Sequence, residues 1–400
     1  MSPLVSAISS SWKRGAANAT GLLASGVLAA SAGEMLQSAG ETPLPPEEAP
    51  QTSLWDAFDF YGDLRLRYEI DYDSVRADGR TPRDDRNRLR TRARLGLKFS
   101  PTDWFTANLR VRYGDSNSQQ SPHVTLLQDG GPTGNHSDVW LDRLSIGLQT
   151  DDLWFKIGRT GLPFWKPHEM YWDDDIPLDG GSVGMEATAG DTQFNLAAGA
   201  WALPDGPDHH SLSERSLLSA GQIKLAHALG EQGQLIIADT LLHIKDDSSV
   251  VNVTNDDVDY TVNALDLQYK RHVSETQVTL GATYLHNFDR GPDTDSERNE
   301  TDGFVLYGTL GKLEEKGDWL LGYYYADIEK YAGARYFAQD DWSRFGSATQ
   351  TRSSDFRGHE LRLGYMLADN LNVILRAYHV ETKSTREDGN RIRLDLNFRF

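Results

Sequence analysis

Four arginines, Arg88, Arg90, Arg92 and Arg94, stand at every second position of one short segment. Arg65 and Arg67 repeat the spacing upstream, Arg110 and Arg112 downstream, and Arg391 and Arg393 close to the carboxyl end. Alternate positions of a strand share one face, so each set reads as a row of guanidinium groups. Rows of charge along a pore select ions by their field. Asp63, Glu69, Asp142 and Asp395 are available to pair the same arginines internally, which is the competing reading. A second cluster, Glu169, Asp173, Asp174 and Asp175, is flanked by Leu162, Phe164, Trp165 and Trp172. Its acids can line a channel while the apolar residues anchor the segment. Three adjacent aspartates also offer the oxygen ligands that Ca²⁺ takes, but the spacing is not that of an EF-hand loop, and no metal is assigned. His209-His210 reads as an exposed loop pair. No Ser/His/Asp order or His-Glu-x-x-His spacing stands out, and cysteine is absent. No catalytic residue, no cofactor and no enzyme are therefore expected.

The elements that would position these charges are strands. From Phe58 onward apolar and polar residues alternate, the period of a two-faced strand. Phe60, Leu64, Leu66, Tyr68, Ile70 and Tyr72 share one face, and Asp63, Arg65, Arg67, Glu69 and Asp71 the other. The last segment repeats this, with Ile392, Leu394, Leu396, Phe398 and Phe400 against Arg391, Arg393, Asp395, Asn397 and Arg399. The pattern predicts sixteen strands: 58–72, 87–99, 104–113, 138–149, 153–160, 182–188, 193–201, 217–227, 234–244, 259–270, 275–286, 303–312, 318–328, 358–366, 371–380 and 390–400. Short turns and long polar stretches alternate between them. The long stretches lie near 73–86, 114–137, 161–181, 202–216, 245–258, 287–302, 329–357 and 381–389. That layout is an all-β, transmembrane, up-and-down antiparallel barrel with short periplasmic turns and long outer loops. Aromatics near segment ends, among them Tyr72, Trp104, Tyr113, Trp140, Trp319 and Phe400, suit girdles at the two interfaces. No apolar run reaches the ~18–20 residues of a spanning helix. A mean hydropathy of −0.54 does not speak against a barrel, because only alternate residues face lipid.

The first residues read as a signal peptide over 1–32. Lys13 and Arg14 precede a small apolar run, and Ala30-Ser31-Ala32 forms a cleavage site. Residues 33–57 form a Pro- and acid-rich linker, and the barrel occupies 58–400. Removing 1–32 takes away Lys13, Arg14 and no acid, so the net charge of −19 becomes −21. Such a balance excludes nucleic acid as a partner.

Gly62-Asp-Leu-Arg-Leu-Arg-Tyr-Glu69 and Arg88-Leu-Arg-Thr-Arg-Ala-Arg-Leu-Gly96 resemble the opening of the Gram-negative "putative porin" family. Ser121-Pro-His-Val-Thr-Leu126, Trp140-Leu-Asp142, Ile157-Gly-Arg159 with Pro163-Phe-Trp165, and Trp172-Asp-Asp-Asp-Ile-Pro-Leu-Asp-Gly180 are similar to later parts of it. Asp355-Phe-Arg-Gly-His-Glu-Leu361 and Ala368-Asp-Asn-Leu371 match its closing strands, and terminal Phe400 its assembly signal. The likeness spans most of 60–200 and 318–400, and the arginine-rich opening also resembles alginate-export barrels. It implies a diffusion channel for small hydrophilic solutes or ions in a bacterial outer membrane, with an arginine-lined lumen and 161–181 folded inward as a constriction. The alternative it leaves is a barrel dedicated to acidic sugars or polysaccharide export. The expected partners are outer-membrane lipid and lipopolysaccharide, the barrel-assembly machinery and small hydrophilic solutes. A homotrimer is compatible with them.

Overall fold

A computed structural model describes residues 54–114, 123–129, 138–203, 216–245, 258–342 and 353–400. The expected signal peptide, linker residues 33–53, Ser121, Pro122 and the His209-His210 pair lie outside these. After one 3-10 turn, Leu54–Ala57, come β1 (Phe58–Tyr72), β2 (Arg86–Thr102), β3 (Phe105–Gly114), β4 (Val124–Gln128), β5 (Asp138–Gln149) and β6 (Leu153–Thr160). There follow β7 (Leu178–Ala189), β8 (Thr192–Ala202), β9 (Leu217–Ala228), β10 (Gly233–Lys245), β11 (Tyr260–Val273) and β12 (Thr276–Asn287). The chain ends on β13 (Asp302–Gly311), β14 (Trp319–Ile328), β15 (Phe356–Ala368), β16 (Leu371–Thr382) and β17 (Asp388–Arg399).

Each of the sixteen expected segments is a strand. Each strand of the wall pairs antiparallel with its neighbours, and β1 pairs with β17, closing a sixteen-stranded barrel without an edge. The additional strand is β4. It pairs with Arg88–Thr91 of β2, above the point where β3 stops against Ala93. Sequence alternation did not mark it, because five residues in a long loop carry no period of their own.

Side-chain direction follows the alternation. Leu64, Leu66, Leu95, Leu394 and Leu396 are exposed on the outer face, while Arg67, Arg393 and Asp395 on the inner face are each 1% exposed. At Gly62 a Cβ would lie 2.5 Å from the Arg94 carbonyl oxygen and 2.6 Å from the Phe400 ring. Glycine there lets the closing strand seat: Gly62 and Phe400 exchange both backbone hydrogen bonds, at 3.0 and 3.1 Å. One aromatic departs from the expected girdle. A bulge between Arg110 and Val111 makes Asp142 an extra residue of β5. The bulge reverses the alternation, so Trp140 points inward beneath Arg112.

The lumen has two unlike halves. One wall, from β17 through β5, is charged. Across from it, Trp201, Leu218, Leu242, Tyr260, Val305 and Phe356 form an apolar inner face. Parts of two long loops pack against that face.

Candidate functional site

Pairing register sets Arg65 opposite Arg92, Arg67 opposite Arg90, and Arg94 opposite Arg112. Like charges directly opposed repel, so such rows need acids between them. Asp395 takes Arg67 by two prongs, at 2.6 Å from Nε and 3.1 Å from Nη2. Glu69, fully buried, pairs with Arg88 and with Arg393 at 2.8 Å, and Arg90 lies 4.0 Å away. Asp71 bridges Arg86 and Arg391, each at 2.7 Å. Asp63 holds Arg94 at 2.6 Å and Arg92 at 3.2 Å. Asp142 pairs with Arg110, and Arg112 lies 3.6 Å from it and 3.7 Å from the centre of a Trp140 ring. All ten arginines singled out from the sequence thus line one wall. The bulge adds an eleventh, Arg143, which strict alternation conceals.

Residues 161–177, between β6 and β7, fold into the lumen. Trp165 exchanges backbone hydrogen bonds with the Gln222 amide, at 3.0 and 2.6 Å. His168 Nε2 meets Thr283 Oγ1 at 2.8 Å, and the Tyr171 hydroxyl donates to Asp266 at 3.0 Å. These anchors hold the segment to the apolar side and aim its acids at the arginines. Asp175 reaches Arg92 at 2.8 Å and Arg94 at 3.0 Å, and Arg112 donates to its carbonyl. Burial opposes the charge of Asp175, yet Arg92, Arg94 and Arg112 hold its carboxyl well below the usual range. Asp174 is exposed and pairs with Lys166. Burial, together with Glu169 and Asp175, raises the Asp173 carboxyl well above its ordinary value. Burial, with Asp174 and Asp341 nearby, pushes Glu169 up to about 7 despite Lys166. The acids therefore differ: the arginines favour the charged form of Asp175, whereas burial disfavours it at Asp173 and Glu169.

A second loop enters beside it, unforeseen in the sequence. Tyr331, Tyr336, Phe337 and Trp342, between β14 and β15, are buried, and Phe337 stacks on Trp172 with ring centres 5.5 Å apart. Asp341 meets Arg393 at 2.5 Å, Arg376 at 3.1 Å and Arg67 at 3.6 Å. Burial works against its charge, but Arg393, Arg67 and Arg376 keep the carboxyl ionised far below its ordinary range. A signal was present: Asp340-Asp341-Trp342 sets acids beside an aromatic, as Trp172-Asp173-Asp174-Asp175 does.

Between wall and loops lies a cavity of about 360 Å³ lined by Arg65, Arg92, Arg94, Glu169, Asp341 and Arg362, among others. Arg65 forms no ion pair among the described residues, and its Nε donates to Asn397 at 2.7 Å. Toward the short-turn end, Lys98, Lys156, Lys224 and Lys270 occupy inward register positions. Among the described residues none of these lysines has an ion pair, and the inward acids at that level are Asp59 and Glu186.

A family model described as "Putative porin" matches residues 78–246. That stretch, under half of the chain, is similar to the family. Solved structures agree on the fold. OprB of Pseudomonas putida superposes with a TM-score of 0.56 at 12% identity, over 87% of this chain and 95% of its own. OmpF of Salmonella typhi, solved in complex with daunomycin, gives 0.50 at 13% identity, over 86% of this chain and 97% of its own. No curated protein matches the sequence. In outer-membrane barrels long loops face outward from the cell and short turns the periplasm.

Proposed function

We propose that this barrel passes small hydrophilic solutes and ions passively, through a constriction made where 161–177 and 329–342 approach the arginine wall. The observation that carries the reading is the placement of Asp175 and Asp341. Each comes from a different loop, and each enters a set of wall arginines that the strands alone leave incompletely neutralised. Opposed charge across a narrow section orients water and polar solutes and penalises apolar ones. Most wall arginines are spent on ion pairs with these two acids or with acids of the strands. The cations left to attract a permeating ion include Arg65, Arg399 and the inward lysines Lys98, Lys156, Lys224 and Lys270. Anion preference in a chain of net charge −19 follows, because the field inside the pore decides selectivity. Those lysines also favour acidic sugars as the second reading. Reversal potentials in a salt gradient test the preference. Replacing the four lysines with Gln should move them toward cations, and an unchanged potential would remove the lysines from the account.

A further inference from the structure

The cavity between the arginine wall and the loops keeps several polar groups without a partner. His123, just before β4, is 4% exposed, and neither of its ring nitrogens has a hydrogen bond. It lines the cavity together with Arg65 and Arg399. Neither arginine has an ion pair among the described residues, and Arg65 gives one N–H to Asn397. On the loop side Gln339 is 3% exposed, and its Nε2 likewise has no partner. Buried donors left unpaired are costly, so such groups call for an acceptor.

Across the cavity some acids are unmatched in the same way. Asp341 and Asp175 are held by arginines, and Asp174 by Lys166. Glu169 and Asp173 have no ion pair among the described residues. Glu169 Oε1 accepts the Asp174 N–H at 3.3 Å, and Asp173 Oδ1 the Asp175 N–H at 2.7 Å. One side of the cavity therefore offers N–H groups to an anion, and the other offers carboxyl groups to a cation. Trp165–Gln222 and Tyr171–Asp266 fix the loop, so the spacing of the two sides is set before any solute arrives.

We propose that this cavity binds a small amino acid carrying both charges, its carboxylate on Arg65 and His123 and its ammonium on Glu169. The proposal rests on the constriction reading above and gives the passage a preferred solute. Guanidinium N–H groups match the two oxygens of a carboxylate. The neutral imidazole adds one N–H without adding a cation where Arg67, Arg90 and Arg92 already act on it. Arg399 and Gln339 Nε2 supply further donors to the same space. A solute with one charge satisfies one side and leaves the other uncompensated, whereas a zwitterion satisfies both.

Isothermal titration calorimetry of the full-length barrel in detergent, at pH 8 and low salt, reads binding without conduction. At that pH Glu169, raised to about 7, is ionised. L-Alanine or 4-aminobutyrate, which differ in the spacing of their charges, should bind at least tenfold more tightly than butyrate or butylamine. Glu169→Gln should lower the affinity for the amino acid to near that for butyrate and leave butyrate binding in place. His123→Phe, which keeps a ring without its N–H, should weaken both at least threefold. Heat-modifiable migration shows that each variant is a folded barrel. Equal affinities for amino acid and butyrate, amino-acid binding undiminished in Glu169→Gln, or no binding of either amino acid would overturn the proposal. Conductance of the same preparation separates it from the diffusion reading. Open-channel steps without binding remove the site alone, and binding without steps supports the site while removing the diffusion reading.

Discussion

Replacing Asp175 with Asn removes one charge from the constriction with little change of shape. Its carboxylate meets Arg92 at 2.8 Å and Arg94 at 3.0 Å. Arg112 holds only its backbone carbonyl, so that contact survives. Asp63 alone is then left for Arg92 and Arg94, and the narrow section gains one net positive charge. The loop should remain docked through Trp165–Gln222, Tyr171–Asp266 and the Trp172–Phe337 stack. In water a unit charge ~4 Å from a passing ion is worth about 1 kcal/mol. Screening with a Debye length of ~8 Å lowers this to about 0.6 kcal/mol. An anion gains and a cation loses this amount, so the anion-to-cation permeability ratio should rise about sevenfold, since 1.4 kcal/mol corresponds to roughly tenfold. The assay is the single-channel reversal potential across a planar bilayer in a potassium chloride gradient. Wild-type conductance with an unchanged ratio, or a shift toward cations, would refute the reasoning, because Arg92 and Arg94 would then not face the ion path.

On the lipid face, Leu95→Arg or Leu394→Arg should cost ~2–4 kcal/mol in barrel stability. Thr106→Arg, facing the lumen, should cost far less in the same denaturant titration, and equal costs would mean the register is wrong. The Glu169 carboxyl, raised to about 7, should lose its proton as pH rises from 6 to 8, adding negative charge and weakening anion preference over that range. The folded state binds this proton more tightly than the unfolded chain, so the same group lowers stability as pH climbs from its ordinary value of 4.5 to about 7. Glu169→Gln should flatten the selectivity profile between pH 6 and 8, and an unaltered profile would exclude Glu169 as its cause. Deleting Phe400 should impair insertion into the outer membrane with little effect on export, and normal insertion of the truncated chain would count against an assembly role.

The strands were legible because a barrel wall between lipid and a charged lumen imposes alternation along its whole length. Arg88 to Arg94 show it most plainly, and their inward direction could be read without any contact information. What could not be read depends on long-range packing. Strand β4 exists because β3 ends short of Arg88–Thr91 and leaves that edge of β2 unpaired. Arg143 and Trp140 were misread or missed because one inserted residue, Asp142, reverses the pattern locally. The division of the arginines into paired and unpaired required partners from two loops far away in sequence, Asp175 and Asp341. Asp63, Glu69 and Asp395 were recognisable as partners, since they alternate on the same faces as arginines of their own strands.

The most direct measurement for the central claim is the conductance of the refolded full-length barrel in a planar bilayer, with the reversal potential read in a tenfold salt gradient. Discrete open-channel steps with anion preference are the predicted result. A barrel that inserts without conducting, or one that selects cations, would contradict a diffusion pore governed by Arg65 and the inward lysines.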